Sequence, residues 1–365
     1  MSGTYELFTL ATILAPEHGQ HTEEILIELN YSWGKLGFWA RLRRYEAPTE
    51  YYLELVARRA VNLNRRKRPQ VSEVTYMGRP VMIEAAINGN ALRELNPNIP
   101  YSPEEIAGDA IATCRAGAAL IHFHVRDPQT GRWVQDVPYY SEVYRRTRAV
   151  CDPLLWPTFP FDGTPAERFS HFVELAKDPA TRPDIGAADM GSVNLATYSR
   201  EVKKIRGANF VYQNSYETCR QFLEMSRELG LRPTLQVFEP GFLRAALVFL
   251  DQGLLTEPLI LKFYLGGKEQ NFGLPPTLKS LEVYLEMIEG VRCNWFAATL
   301  GGDNLPLVPL VVSLGGHVRV GLEDYQYARD GQLTNPQIVE RAAAVIQAMG
   351  HQVASSKQAR ELLEV

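Results

Sequence analysis

From residue 81 onward the chain alternates two kinds of hydrophobic pattern. Short apolar, β-prone runs at 81–88, 118–125, 153–159, 184–190, 233–238, 259–265, 292–298 and 317–322 read as strands. Between and after them, apolar positions recur every three or four residues at 102–116, 139–150, 165–177, 216–229, 241–252, 278–288, 306–314 and 335–349, which read as helices. A short further helix follows the last. Ser102-Pro103-Glu104-Glu105 has the form of a capping box with proline in the first turn, and Gly117 stands where that helix ends. Strand then helix, repeated eight times over about 270 residues, is the pattern of a (β/α)8 TIM barrel. A doubly wound open sheet is the alternative. It calls for a glycine-rich phosphate turn after the first strand, and Asn88-Gly89-Asn90 is not that fingerprint.

Residues 1–80 read differently, as an N-terminal α+β extension to an 81–365 barrel domain. Alternating patterns at 22–32 and 37–44 suggest strands and 50–62 suggests a helix. The run Arg65-Arg66-Lys67-Arg68-Pro69 reads as a solvated linker, or as a contact for an anionic group such as a cofactor phosphate. The extension is expected to act as an interface or a lid. With 45% hydrophobic and 22% charged residues the chain can bury a full core, and a net charge of −4 argues against nucleic acid as the main partner. No apolar run reaches membrane-spanning length, so a cytoplasmic protein is expected. Cys114, Cys151, Cys219 and Cys293 lack metal-type spacing and read as reduced packing residues.

The chemistry-bearing run is Leu120-Ile121-His122-Phe123-His124-Val125-Arg126-Asp127. Residues two apart on a strand face the same side, so the two imidazoles converge, and imidazole suits a divalent ion such as zinc. The spacing is met equally by two barrel-facing histidines hydrogen-bonded to neighbours. In a barrel, catalytic groups gather at the C-terminal ends of strands. Strands two and eight flank strand one, so a carboxylate from His317-Val318-Arg319-Val320-Gly321-Leu322-Glu323-Asp324 can reach a metal held by His122 and His124. Glu323 is the natural third ligand, with Asp324 as an acid/base group. Two imidazoles and one carboxylate leave a position open to substrate. Against this stands the plainer reading of Glu323 and Asp324 as surface carboxylates.

From about Val81 to the C-terminus these segments resemble the β-keto acid cleavage enzyme family, whose founding activity is 3-keto-5-aminohexanoate cleavage. The likeness rests on Ala85-Ala86-Ile87-Asn88-Gly89, Ser102-Pro103-Glu104-Glu105, residues 117–126 with both histidines, Gly191-Ser192-Val193-Asn194, and residues 315–324, in that order. It implies a (β/α)8 barrel holding one Zn2+ through His122, His124 and Glu323, with Arg319 and Asp324 as a dyad. The implied reaction condenses a β-keto acid with acetyl-CoA, by a Claisen and retro-Claisen route, to acetoacetate and a new acyl-CoA. A homo-oligomer, tetramer or dimer, is usual for relatives.

Several positions depart from the family's pattern. Thr158, in Trp156-Pro157-Thr158-Phe159-Pro160-Phe161, replaces a serine hydroxyl and is taken as a third catalytic residue. Gln236 stands where the founding member has a glutamate, with Glu239 nearby. Gly301-Gly302-Asp303-Asn304 lacks an arginine found in relatives, and the place of a glutamate suited to an amino substrate falls near Ala91. With Phe159 and Phe161 at the rim, a neutral or apolar substrate side chain is expected. The alternative function is a different zinc-dependent barrel lyase or hydrolase acting on a small carboxylic acid, in which metal-bound water does the chemistry.

Overall fold

The structure, a computed structural model, describes residues 78–365 and, ahead of them, two short antiparallel strands, Leu7–Phe8 and Glu28–Leu29. The chain divides into two compact units, Met1–Val74 and Thr75–Val365. Glu28–Leu29 falls in the expected strand at 22–32. The other elements expected before residue 78, the basic run and the role of the extension lie outside the described residues.

Eight parallel strands form one sheet: β1 (Ile83–Ala86), β2 (Leu120–Phe123), β3 (Leu154–Pro157), β4 (Gly186–Asp189), β5 (Pro233–Val237), β6 (Leu259–Gly266), β7 (Cys293–Leu300) and β8 (His317–Val320). Their order is β3-β2-β1-β8-β7-β6-β5-β4. Helices α1 (Pro103–Arg115), α2 (Val137–Arg148), α3 (Pro165–Leu175), α4 (Tyr216–Glu228), α5 (Pro240–Asp251), α6 (Leu278–Met287), α7 (Val308–Ser313) and α8 (Asn335–Ala348) follow the strands in turn, and α9 (Ser356–Leu363) closes the chain. This is a nearly closed TIM barrel.

Local chemistry explains the helix starts. Ser102, Thr164, Thr334 and Ser355 each form a full capping box, satisfying N–H groups that a helix leaves without partners. The strands are buried on both faces, as parallel strands under helices must be. Alternation then decides what each residue meets. Phe263 on β6 points outward and stacks on Tyr284 of α6 at 4.5 Å, while its neighbours Lys262 and Tyr264 point into the barrel.

The seam between β3 and β4 carries no strand ladder, and Asp184 closes it. Its amide donates to the Leu155 carbonyl (3.0 Å), and its carboxylate accepts from the Leu155 amide (2.8 Å). Arg148 and Arg360 neutralise that carboxylate at 2.9 and 2.5 Å. Beyond β4 lies an unanticipated insertion. Val193–Asn194 pairs with Val211–Tyr212, and Thr197–Ser199 pairs with Lys204–Arg206, both antiparallel. Among the described residues no helix is long and apolar enough to cross a membrane.

Candidate metal centre and active site

His122 lies on β2 and His124 one residue past its end, both buried. The Asn88 side chain holds the second in place. Its Oδ1 accepts from the His124 amide (2.9 Å), and its Nδ2 donates to the His124 carbonyl (2.8 Å) and to that of Pro100 (3.1 Å). The His122 ring stacks on Trp156 at 3.9 Å, and its Nδ1 faces the Trp156 carbonyl at 3.3 Å. That carbonyl favours the tautomer protonated on Nδ1, which leaves a lone pair on Nε2. Burial pushes the His122 pKa down to about 4, so the ring is neutral at physiological pH, the form that binds metals.

Glu323 arrives from the turn after β8. Its amide donates to the Ala86 carbonyl at 3.1 Å. Gly89 makes room for its side chain: with φ of +48°, any Cβ there would stand 2.2 Å from Glu323 Cγ. The three donor atoms come together closely. Nε2 of His122 and Nε2 of His124 are 3.2 Å apart, and Glu323 Oε2 lies 3.4 and 3.6 Å from them. Ligands about 2.0–2.1 Å from a tetrahedral zinc ion stand roughly 3.3 Å from one another, so the spacing fits. Glu323 Oε2 is buried without a hydrogen-bond partner, as is His124 Nδ1. A buried carboxylate oxygen with no donor is costly unless a cation completes it. The three form the His/Cys/Asp/Glu group suited to a metal ion among the described residues.

Arg319 underpins this corner from β8. Its guanidinium holds Asp324 through Nε (3.0 Å) and Nη2 (2.9 Å), and reaches Glu323 Oε1 and Glu84 Oε1 at 3.0 Å each. Glu84 in turn pairs with Lys262, whose Nζ sits 3.7 Å over the Trp156 ring. All of these groups except Glu323 are essentially sealed from solvent. Burial raises Asp324 to about 6 against the pull of Arg319. Burial also works against an ionised Glu323, but the Arg319 guanidinium bonded to Oε1 helps hold that carboxyl well below the usual range. Burial lowers Lys262 to about 7, although Glu84 supports its charge. Burial opposes the charge on Glu84 as well, yet Lys262 and Arg319 keep its pKa lowered.

The structure thus brings together five of the six residues singled out in the sequence: His122, His124, Glu323, Arg319 and Asp324. Thr158 stands apart. It follows β3 directly, its amide donates to the Phe123 carbonyl (3.2 Å) and its carbonyl meets His171 Nε2 at 2.6 Å, but its hydroxyl makes no hydrogen bond among the described residues. Glu239 is committed elsewhere, accepting from the Gly273 amide at 2.8 Å. The Gln236 amide, oriented to suit its surroundings, donates to the Thr234 and Ala188 carbonyls at 2.8 Å each and so ties β5 to β4.

Sequence reasoning missed the second network at the mouth. Asp189, at the end of β4, accepts from the Tyr212 hydroxyl, which the insertion delivers. Arg168 of α3 donates to that hydroxyl and to Asn214 Oδ1, both at 2.8 Å. It missed Glu84 and Lys262 too, although a lone charge inside an apolar strand, as in Val81-Met82-Ile83-Glu84-Ala85 and Leu261-Lys262-Phe263, was the signal for a charged barrel interior.

Residues 80–365 match the family model of the β-keto acid cleavage enzymes. The chain belongs to that family. A 3-dehydrocarnitine:acetyl-CoA trimethylamine transferase of Rhizobium meliloti (strain 1021) is 31% identical over 315 residues, covering 79% of this chain and 98% of the relative. A 3-keto-5-aminohexanoate cleavage enzyme of Fusobacterium nucleatum subsp. nucleatum is 29% identical over 290 residues, covering 78% and 98%. Among solved structures, the apo structure of ObcA superposes with a TM-score of 0.58 at 16% identity, over 73% of this chain and 66% of that one. That likeness bears on the barrel alone. As in TIM-barrel enzymes generally, the chain carries its chemistry-bearing residues at the C-terminal ends of barrel strands.

Proposed function

We propose that the protein condenses a β-keto acid with acetyl-CoA, giving acetoacetate and the acyl-CoA of the remaining chain, at a zinc ion held by His122, His124 and Glu323. The observation that carries the reading is the set of three ligand atoms 3.2–3.6 Å apart beside the Arg319–Asp324 pair. When bound, a zinc ion would supply Lewis acidity toward the substrate's oxygens. The protein supplies the rest. Asp324, oriented by two Arg319 bonds, accepts the proton from the carbon between ketone and carboxylate. The carbanion attacks the acetyl thioester, a carbon–carbon bond forms and CoA leaves as thiolate. The thiolate then adds to the original ketone, the bond from that carbon to the former α-carbon breaks, and the acetoacetate carbanion so released takes back the proton held by Asp324. Every atom of the two substrates is found in the two products, and no enzyme nucleophile is needed.

Thr158, which follows β3 directly and whose hydroxyl makes no hydrogen bond among the described residues, fits a hydroxyl contact to substrate. Phe161, exposed on the same rim and edge-on to Phe210 and Tyr212, suits a neutral or apolar substrate side chain. The test is to incubate the zinc-loaded protein with acetyl-CoA and β-keto acids of differing charge, measuring acetoacetate and acyl-CoA. Acetoacetate formed only when both substrates are present is expected. Turnover without acetyl-CoA would replace this reading with hydrolysis or lyase chemistry.

A further inference from the structure

The inward face of β6 carries a hydroxyl that the metal corner and the Arg319–Asp324 pair leave unused. Lys262 is the lower of two inward residues and is spent on Glu84. Tyr264, one inward step nearer the mouth, has its ring stacked on Phe238 (4.8 Å between centres, 22° between planes) and Arg319 Cζ 5.1 Å over its face. It is 4% exposed. Its hydroxyl makes no hydrogen bond among the described residues, yet it is not sealed away. Tyr140 and Tyr284 also lack partners, but their hydroxyls are closed off on the helical layer outside the barrel. Tyr264 alone of these feels the charges of Arg319, Glu84, Asp324 and Glu323.

A phenol in that position is a donor held ready. The donors around it are committed: Arg319 to Glu84, Glu323 and Asp324, and Lys262 to Glu84. Burial and the neighbouring carboxylates raise its pKa well above the ordinary tyrosine value, so it stays protonated at any working pH. The ring is fixed on two sides, so little freedom is lost when it donates.

We propose that the Tyr264 hydroxyl is a catalytic hydrogen-bond donor to the oxyanion that forms when the substrate carbanion adds to the thioester carbonyl, or when the CoA thiolate adds to the ketone. The new carbon–carbon or carbon–sulfur bond sends an electron pair onto the carbonyl oxygen, and Tyr264 stabilises that oxygen without giving up its proton. A fixed donor facing developing charge in a low-dielectric site is worth far more than the same donor in water. The inference rests on the acyl-transfer reading of the site.

The test is Tyr264→Phe in the full zinc-loaded chain, which removes one oxygen and keeps both ring contacts. The expected result is a fall in kcat of about 10²–10³-fold, as for loss of one oxyanion donor. KM for the β-keto acid, zinc content and Tm should stay near wild type, because the hydroxyl binds no group in the folded protein. A kcat within two-fold of a wild type that does make acetoacetate would overturn this proposal and leave the parent reading standing. A loss of zinc or of Tm accompanying the fall would show a structural part and also overturn it. Wild-type protein that makes no acetoacetate from any β-keto acid would remove the parent reading, and this one with it.

Discussion

Gly89→Ala tests the metal corner without touching a ligand. Gly89 has φ of +48°, and an alanine Cβ would lie 2.2 Å from Glu323 Cγ and 2.9 Å from both Cβ and Cδ. Holding alanine in the left-handed region costs about 1–2 kcal/mol by itself. The clash is separate. The Glu323 backbone is pinned to Ala86 at 3.1 Å, so the side chain must move instead. Oε2 then leaves its position 3.4 and 3.6 Å from the two imidazoles, and the Arg319 contact to Oε1 at 3.0 Å loosens. Disturbing the support of a metal ligand costs about 10–100-fold in affinity, or roughly 1.4–2.7 kcal/mol. Competition with a chromophoric chelator measures the zinc affinity and a thermal scan the stability. Gly253→Ala is the control. Gly253 has φ of +71°, and a methyl added there would meet nothing within 4 Å, so it reports backbone strain alone. It should lose stability and keep zinc. Gly89→Ala with wild-type zinc affinity, or an equal loss in Gly253→Ala, would refute the reasoning.

His124→Ala should abolish stoichiometric zinc, and full zinc retained by metal analysis would sink the ligand assignment. Asp184→Ala opens the β3–β4 seam, leaving the Leu155 amide without its acceptor and Arg148 and Arg360 short of a partner. The loss should be about 3 kcal/mol, a drop in Tm of roughly 6–12 °C, and a drop under about 2 °C would contradict it. Asp109, bonded by Asn335 Nδ2 at 2.6 Å, is raised by burial to about 7. Its folded pKa lies above its unfolded value near 4, so the fold binds the extra proton: its contribution is fully present below about pH 4 and is lost as pH rises through 7. Asp109→Asn should therefore gain on wild type by up to about 4 kcal/mol between pH 4 and 8, and a Tm difference constant over that range would refute it.

The barrel was legible because local and global signals agree in it. Ser102 and Glu105 start α1 where the sequence places the start, and Val81–Asn88 brackets β1. The His122/His124 pair converges as period two demands, although His124 lies beyond the last strand residue and depends on Asn88 to hold it there. The insertion after β4 escaped because its strands are two or three residues long, too short for alternation to show. It nonetheless delivers Tyr212 to Asp189. Whether Glu239 could serve beside Gln236 also lay beyond sequence. Its carboxylate is captured by an amide more than thirty residues away, and only the fold reveals that partner.

The charges inside the barrel explain why the metal corner keeps its shape. Three carboxylates, Glu84, Glu323 and Asp324, face two cations, Lys262 and Arg319, with a neutral His122 imidazole beside them. One carboxylate charge is thus left over in a region where an unpaired charge is expensive. Its location follows from the bonding. Lys262 takes one oxygen of Glu84 and Arg319 the other, and Arg319 grips Asp324 through two nitrogens. On Glu323, Arg319 reaches only Oε1. Oε2 is the oxygen left without a donor, and it faces the two Nε2 atoms. Arg319 therefore keeps Glu323 ionised while leaving free the oxygen that faces the two imidazoles. A lysine could not do both, since a single ammonium lacks the planar fork that serves three carboxylates at once. Arg319→Lys should accordingly weaken zinc binding and activity together, whereas a residue that merely fills space at this point would let either survive.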